Sequence, residues 1–330
     1  MHSPVFRTTS WALSRNKAAA SALGGPLRYR PARLETGRGA ALVGWGRKAS
    51  GLTAQRLAAN RHAAFVILED GFLRSVGRHD PALSFVRDTA GVYYDATCPS
   101  LLEGFAAEPL SPSQVARTQQ LVERWRALGV SKYNCDRDYD GRLPARYVLV
   151  VDQVAGDASI LYGNGGPAAF LDMLACAREE NPDCTVVVKV HPDTLRDAAF
   201  GHFEMARLQV DPQIMVIAER CHAARLLSRA ERIYAVTSQM GFEGLLWGKP
   251  VRCFGMPFYA GWGLTDDEVA PPARRHPVTL HQLVHAALVR YPVYLDPRTS
   301  RPCEVEVVLE HIGACMPRVI GAGQGLAPGL

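Results

Sequence analysis

The sequence predicts an α/β protein of two Rossmann-like halves with a cleft between them. Three observations carry this. Continuous β-branched runs alternate with helical segments, as expected of strands covered on both faces of a mostly parallel sheet. The alternation breaks at residues 131–146, which are rich in Asp, Arg, Gly and Pro, and then restarts. The 330 residues, 48% hydrophobic and 21% charged, are enough for two cores.

The elements follow in order. Ala41 to Trp45 reads as a short buried strand closing on a glycine turn, Gly44-Trp45-Gly46. A helix at 51–60 leads to a second strand, Phe65-Val66-Ile67-Leu68, which stops at Glu69-Asp70-Gly71. Shorter strands are expected at 82–86 and 92–94. Ser111-Pro112-Ser113-Gln114 opens a helix at 111–128 whose Val115, Leu121, Val122, Trp125 and Leu128 share a face. Residues 39–140 make the first domain. Residues 141–330 make the second, with strands at 147–151, 185–190, 214–217, 233–236 and 251–254, helices at 167–180, 221–230 and 240–247, and C-terminal helices.

Charge narrows the functional classes. Residues 1–38 carry seven basic residues against one acid, Glu35, while the whole chain is only +5. The remainder is therefore near neutral, and a nucleic-acid binder would hold its basic surplus on the folded body. The segment reads as a disordered tail, either simply solvated or drawn to anionic lipid headgroups. No run approaches the ~18 apolar residues of a membrane span, and residues 1–38 show no continuous apolar signal region. The eight cysteines form no C-x-x-C pair. They read as small buried hydrophobes in a reducing compartment, with no zinc site.

Ligands of open α/β sheets bind beyond the carboxyl ends of the strands, and the unusual residues fall there. After the strand at 147–151 comes Asp152-Gln153-Val154-Ala155-Gly156-Asp157-Ala158-Ser159. Asp157 can serve as a nucleophile or base at an anomeric carbon, or cap a helix. Lys189-Val190-His191-Pro192-Asp193 ends the next strand, and His191 can meet a phosphate or protonate a leaving group. Thr237-Ser238-Gln239-Met240-Gly241-Phe242-Glu243 joins a strand to a helix. It suits phosphate at a helix start, with Glu243 on ribose hydroxyls, or a plain capping box. The glycine-rich aromatic loop 255–265, with Tyr259 and Trp262, either stacks on sugar or base or seals the domain. In the first half, Glu69, Asp70, Arg74 and the turn at Trp45 face the cleft, with Arg74 a candidate anion clamp. Neither a P-loop nor the dinucleotide fingerprint is present, which argues against an oxidoreductase.

Taken together, Gly44-Trp45-Gly46, Glu69-Asp70-Gly71-Phe72-Leu73-Arg74-Ser75, Gln153 with Asp157-Ala158-Ser159, Lys189-Val190-His191-Pro192, Ser238-Gln239-Met240-Gly241-Phe242-Glu243 and Pro257 to Thr265 resemble the capsule polysaccharide β-Kdo transferases of the KpsC/LipB type. The likeness runs from about residue 41 to residue 312. It implies a GT-B-like fold and a retaining transferase. Kdo would pass from a CMP-Kdo donor to a (lyso)phosphatidylglycerol-linked Kdo acceptor, in capsular linker synthesis and export. The first domain then becomes the acceptor side and the second the nucleotide-sugar side. Asp157 and His191 are the implied catalytic pair. Gln153, Ser159, Lys189, Pro192, Ser238, Gln239, Gly241 and Glu243 hold the donor, and Trp45, Glu69, Asp70, Arg74, Tyr259 and Trp262 lie toward the acceptor or cleft. Neither a metal nor a cofactor is implied. The expected location is cytoplasmic, peripheral on the inner membrane, beside other capsule synthesis proteins or a second transferase module. Family members join two modules in one chain, and this sequence holds one set of motifs. Two other readings stay open: a transferase for another CMP-activated acid sugar, and a non-catalytic module of capsule assembly.

Overall fold

The apolar runs become two sheets in the computed structural model, which describes residues 5–31, 40–191 and 201–316. The first sheet takes β1 (Val5–Thr8), β2 (Leu27–Tyr29), β3 (Ala40–Trp45), β4 (Phe65–Asp70) and β5 (Ser84–Asp88). The second takes β6 (Tyr147–Val151), β7 (Thr185–Lys189), β8 (Ile214–Ile217), β9 (Ile233–Ala235), β10 (Val251–Cys253) and β11 (Asp266–Asp267). The chain then returns to the first sheet with β12 (Pro292–Leu295) and β13 (Pro302–Cys303).

The second sheet, ordered β11-β10-β9-β6-β7-β8, is parallel throughout. All five residues of β6 are buried, so no polar alternation marks the strand. The first sheet is ordered β13-β12-β5-β4-β3-β1-β2. It is parallel from β2 to β4 and antiparallel from β4 to β13. Helix Pro112–Leu128 has the expected capping box between Ser111 and Gln114, and Gly129 closes it at φ 65°. The largest apolar cluster spans both halves. It joins Phe72, Leu121 and Trp125 to Leu149, Phe242, Phe258 and Trp262, so the cleft sits above a shared core.

Four expectations need correction. The 1–38 segment is not a disordered tail over residues 5–31. It supplies β1, β2 and the helices Trp11–Ser14 and Lys17–Leu23, and buries Phe6, Leu13, Ala19, Ala22, Leu23 and Leu27. Its apolar side chains sit at strand and helix spacing, and the charges lie between them. The 141–330 boundary is crossed by β12 and β13, because the outer edge of β5 takes an antiparallel partner. Residues 92–94 form a turn rather than a strand. Among the cysteines, Cys184 and Cys253 are buried, whereas Cys135 and Cys315 are exposed.

Candidate active site

The carboxyl ends of β3, β4, β6, β7 and β9 converge on a cleft of about 680 Å³ between the two halves. From the second half it is lined by Gln153, Asp157, Ser159, Lys189, His191, Ser238, Gln239 and Glu243. From the first it is lined by Glu69. Pro192 lies outside the described residues.

The second-half wall is tightly paired. Gln153 reaches from the end of β6 to the end of β9. Its Oε1 accepts from the Thr237 N–H at 2.9 Å, and its Nε2 donates to the Thr237 hydroxyl at 3.0 Å. The Ser159 hydroxyl lies 3.2 Å from that of Thr237. Asp157 caps the helix Ala158–Tyr162, accepting from the Ser159 N–H at 2.9 Å, and it is also exposed in the cleft. The Lys189 ammonium donates to the carbonyls of Val190 and Glu219, both at 3.0 Å, and burial pushes its pKa down. Ser238 caps helix Gln239–Leu246. Gln239 crosses to the first half and donates to the Phe72 carbonyl at 2.7 Å.

Glu243 is buried between that helix and the crossing segment. It accepts from the Ser131 hydroxyl at 2.7 Å, the Lys132 N–H at 3.2 Å and the Gln239 amide at 3.3 Å. Burial nevertheless pushes its pKa up to about 7. Gly241 does not line the cleft. A Cβ there would overlap the Tyr259 hydroxyl, so this glycine serves packing.

The first-half wall is less paired. Glu69 is the last residue but one of β4, where its Oε1 accepts from the Asp70 N–H at 3.0 Å and its Oε2 faces the Tyr94 hydroxyl at 3.4 Å. Burial pushes its pKa up to about 7. Gly46, at φ 42°, leaves room for that carboxylate, since a Cβ would collide with Glu69 Oε2 and the Tyr94 hydroxyl. The buried phenol of Tyr93 is pushed well above its ordinary pKa, first by burial and then by charges that include Glu69 and Asp157. Glu69 and Asp157, from opposite halves, thus line the same cleft.

Five expected residues stand elsewhere. Arg74 is occupied by Asp70 at 2.9 Å and by the carbonyls of Arg78 and Asp80, so this pair holds a turn rather than an anion. Trp45 packs edge-on against Phe85, with centroids 6.3 Å apart. Tyr259 and Trp262 are buried. The Tyr259 hydroxyl donates to the Ser238 carbonyl at 2.6 Å, and the Trp262 indole to the Phe258 carbonyl at 2.9 Å. The aromatic loop therefore seals the domain, and only its Pro257 and Phe258 reach the cleft lining.

Other lining residues were not singled out by their motifs. Ser131, Lys132, Tyr133 and Asp136 come from the stretch expected to be a linker. The buried Asn134 pins it, donating to the Ser75 carbonyl at 3.1 Å, with its oxygen 3.2 Å from His222 Nε2. Lys48 and Arg78 supply cations, and the Arg78 Nε is buried without a partner. Asp152 is buried at the end of β6, with Oδ1 3.0 Å from His202 Nδ1 and Oδ2 unpartnered. Its place directly after a strand was the available signal. Among the described residues, no group of three or more His, Cys, Asp or Glu is placed to hold a metal.

Two sheet-and-helix domains with a polar cleft at their strand ends define a GT-B-like α/β protein. The family model described as capsule polysaccharide biosynthesis protein matches residues 40–134 and 116–294, and the chain belongs to that family. It is similar to the KpsC β-Kdo 2,4 transferase of Thermosulfurimonas dismutans, at 37% identity, covering 95% of this chain and 99% of that one, with a TM-score of 0.87. The β-Kdo 2,7 transferase of the same KpsC aligns at 29% identity, covering 94% and 99%, with a TM-score of 0.74. The capsule polysaccharide modification protein LipA of Neisseria meningitidis is 37% identical over 294 residues, 84% of this chain. The chain spans 42% of that relative's length.

Proposed function

We propose that the chain is a retaining β-Kdo transferase that moves Kdo from CMP-Kdo to a lipid-linked Kdo acceptor during capsular linker synthesis. One observation carries the reading: Asp157 and Glu69, from opposite halves, line the same cleft. Retention needs two displacements, and each carboxylate has a task. Asp157 attacks the anomeric carbon as the bond to the CMP phosphate breaks. His191, with Ser238 and the N–H groups that open helix Gln239–Leu246, takes up the phosphate charge. Glu69 then removes the proton of the acceptor hydroxyl as that oxygen displaces Asp157. Lys48, Lys132 and Arg78 offer the sugar carboxylate its counter-charge, the role the sequence assigned to Arg74. The greater likeness to the 2,4 transferase than to the 2,7 transferase supports a 2,4 linkage.

The test is transfer of Kdo from CMP-Kdo to a short Kdo–lipid acceptor, with the product linkage read by NMR. Asp157→Ala is expected to lose more than about a hundredfold, roughly 2.7 kcal/mol of barrier, while still binding CMP. No transfer by the wild type despite CMP binding would sink the reading for this chain alone. Transfer from a different CMP-activated acid sugar would replace its donor. The proposed place of work is the cytoplasmic membrane surface. Among the described residues, no helix is long and apolar enough to cross a membrane.

A further inference from the structure

Residues 5–31 contain five basic residues, Arg7, Arg15, Lys17, Arg28 and Arg30, and no aspartate or glutamate. Large apolar side chains are exposed among them. Trp11 is 60% exposed, Tyr29 40% and Val5 37%. The two rings meet edge to face at 5.5 Å, and the Arg15 guanidinium lies 5.4 Å from the indole centroid. Arg15, Lys17, Arg28 and Arg30 are exposed, and among the described residues none of them forms an ion pair. Beneath this surface the segment is anchored by Phe6, Leu13, Leu23 and Leu27.

The place of this surface in the sheet matters. β1 and β2 run parallel to β3 and β4, so their carboxyl ends point the same way as the end of β4 that carries Glu69. Trp11 begins a helix just past the end of β1, and Tyr29 ends β2. β2 is the edge strand, three strand spacings from β4, or roughly 14 Å.

We propose that Trp11, Tyr29, Arg15, Arg28 and Arg30 form a docking surface for an anionic lipid bilayer. Tryptophan and tyrosine settle at the boundary between headgroups and acyl chains, and cations beside them meet lipid phosphates. A nucleic-acid duplex, its bases already stacked on one another, would answer the charge but leave Val5 and the Trp11 ring in water. A bilayer satisfies both, and it sets the acceptor wall of the cleft toward the membrane. Docking stands on the patch alone, and its service to catalysis rests on the lipid-linked acceptor proposed above.

The test uses the full chain with vesicles of phosphatidylcholine, with and without phosphatidylglycerol. Co-sedimentation is expected only with the anionic vesicles, weakening as salt screens the charge. Arg28→Ala/Arg30→Ala is expected to weaken partitioning by about thirtyfold, at about fivefold per basic side chain. Trp11→Ala/Tyr29→Ala should also weaken it, and both pairs should keep wild-type unfolding because the side chains are exposed. Wild type that ignores anionic vesicles, or variants that bind like wild type, would overturn the proposal. So would variants that dissolve a dimer, seen by sedimentation velocity, while vesicle binding persists. Transfer to a detergent-soluble acceptor should be unchanged in both pairs. Vesicle binding by these residues without any transfer would uphold docking while removing the transferase reading.

Discussion

The two walls of the cleft solve different problems. On the second-half wall, Gln153 exchanges two hydrogen bonds with Thr237, Ser159 joins them, and Lys189 is fixed by two carbonyls. On the first-half wall, Glu69 has a neighbour's amide and a long contact to Tyr94, and burial lifts it to about 7. Paired groups hold a ligand at no reorganisation cost. A half-buried carboxyl with few hydrogen bonds is instead raised toward neutral pH, where it can exchange a proton. Under the proposed transferase reading, the difference would suit one wall to the donor and the other to the acceptor.

The sharpest way to break this contrast is Glu69→Gln. The variant is expected to lose about a thousandfold in kcat/KM, roughly 4 kcal/mol. The base must be ionised to take a proton. With its pKa raised from 4.5 to about 7, wild-type kcat/KM should climb as pH passes through about 7. The climb should vanish in the variant. A variant within a few-fold of wild type, with the same pH profile, would leave the two walls functionally alike.

Glu243 tests the second wall, since it too is lifted to about 7 but is enclosed by hydrogen bonds. Its folded-state pKa lies above the ordinary 4.5, so the folded protein binds that proton more tightly. The resulting stability is complete below about 4.5 and is lost as pH rises through about 7. The loss is on the order of 3 kcal/mol for a shift of this size. Glu243→Gln should flatten that part of the curve of unfolding free energy against pH, measured with denaturant. An unchanged slope would mean that the carboxyl titrates normally.

Gly241→Ala addresses packing beneath the same wall. A new Cβ would meet the Tyr259 hydroxyl, and overpacking of this kind costs about 2 kcal/mol. Tyr259→Phe removes the obstructing oxygen and should restore part of the loss in the double variant. Additive losses in thermal unfolding would show that the two side chains do not meet.

Much of this was legible in the sequence. The parallel strands β6, β7 and β9 are buried on both faces, so they appear as uninterrupted apolar runs. Their carboxyl ends then located Gln153, Asp157, His191 and Ser238 in the cleft. The failures have a common cause. Residue type says what Arg74, Tyr259 or Trp262 is able to do, whereas orientation depends on partners set by the tertiary fold. Turn-rich composition at 131–146 announced irregular backbone without revealing that Asn134 ties it into a wall. In residues 5–31 the small helices bury alanines, whose size fits the sheet but whose sequence resembles a polar, basic tail.

Arg74 carries the smallest expected effect and separates a clamp from a brace. Its guanidinium meets Asp70 and Ser75, each at 2.9 Å, together with the carbonyls of Arg78 and Asp80. These bonds shape the turn that presents Arg78 to the cleft. The Asp70–Arg74 pair is partly exposed, which limits its contribution to about 1 kcal/mol or less. Arg74→Ala should therefore lower stability slightly and raise KM for the donor a few-fold, leaving kcat near wild type. Arg78→Ala should raise KM more, because Arg78 itself lines the cleft. If Arg74→Ala proved the more damaging to donor binding, the turn would have to open so that Arg74 itself reaches the anion, and the first wall would be a gripping surface as well.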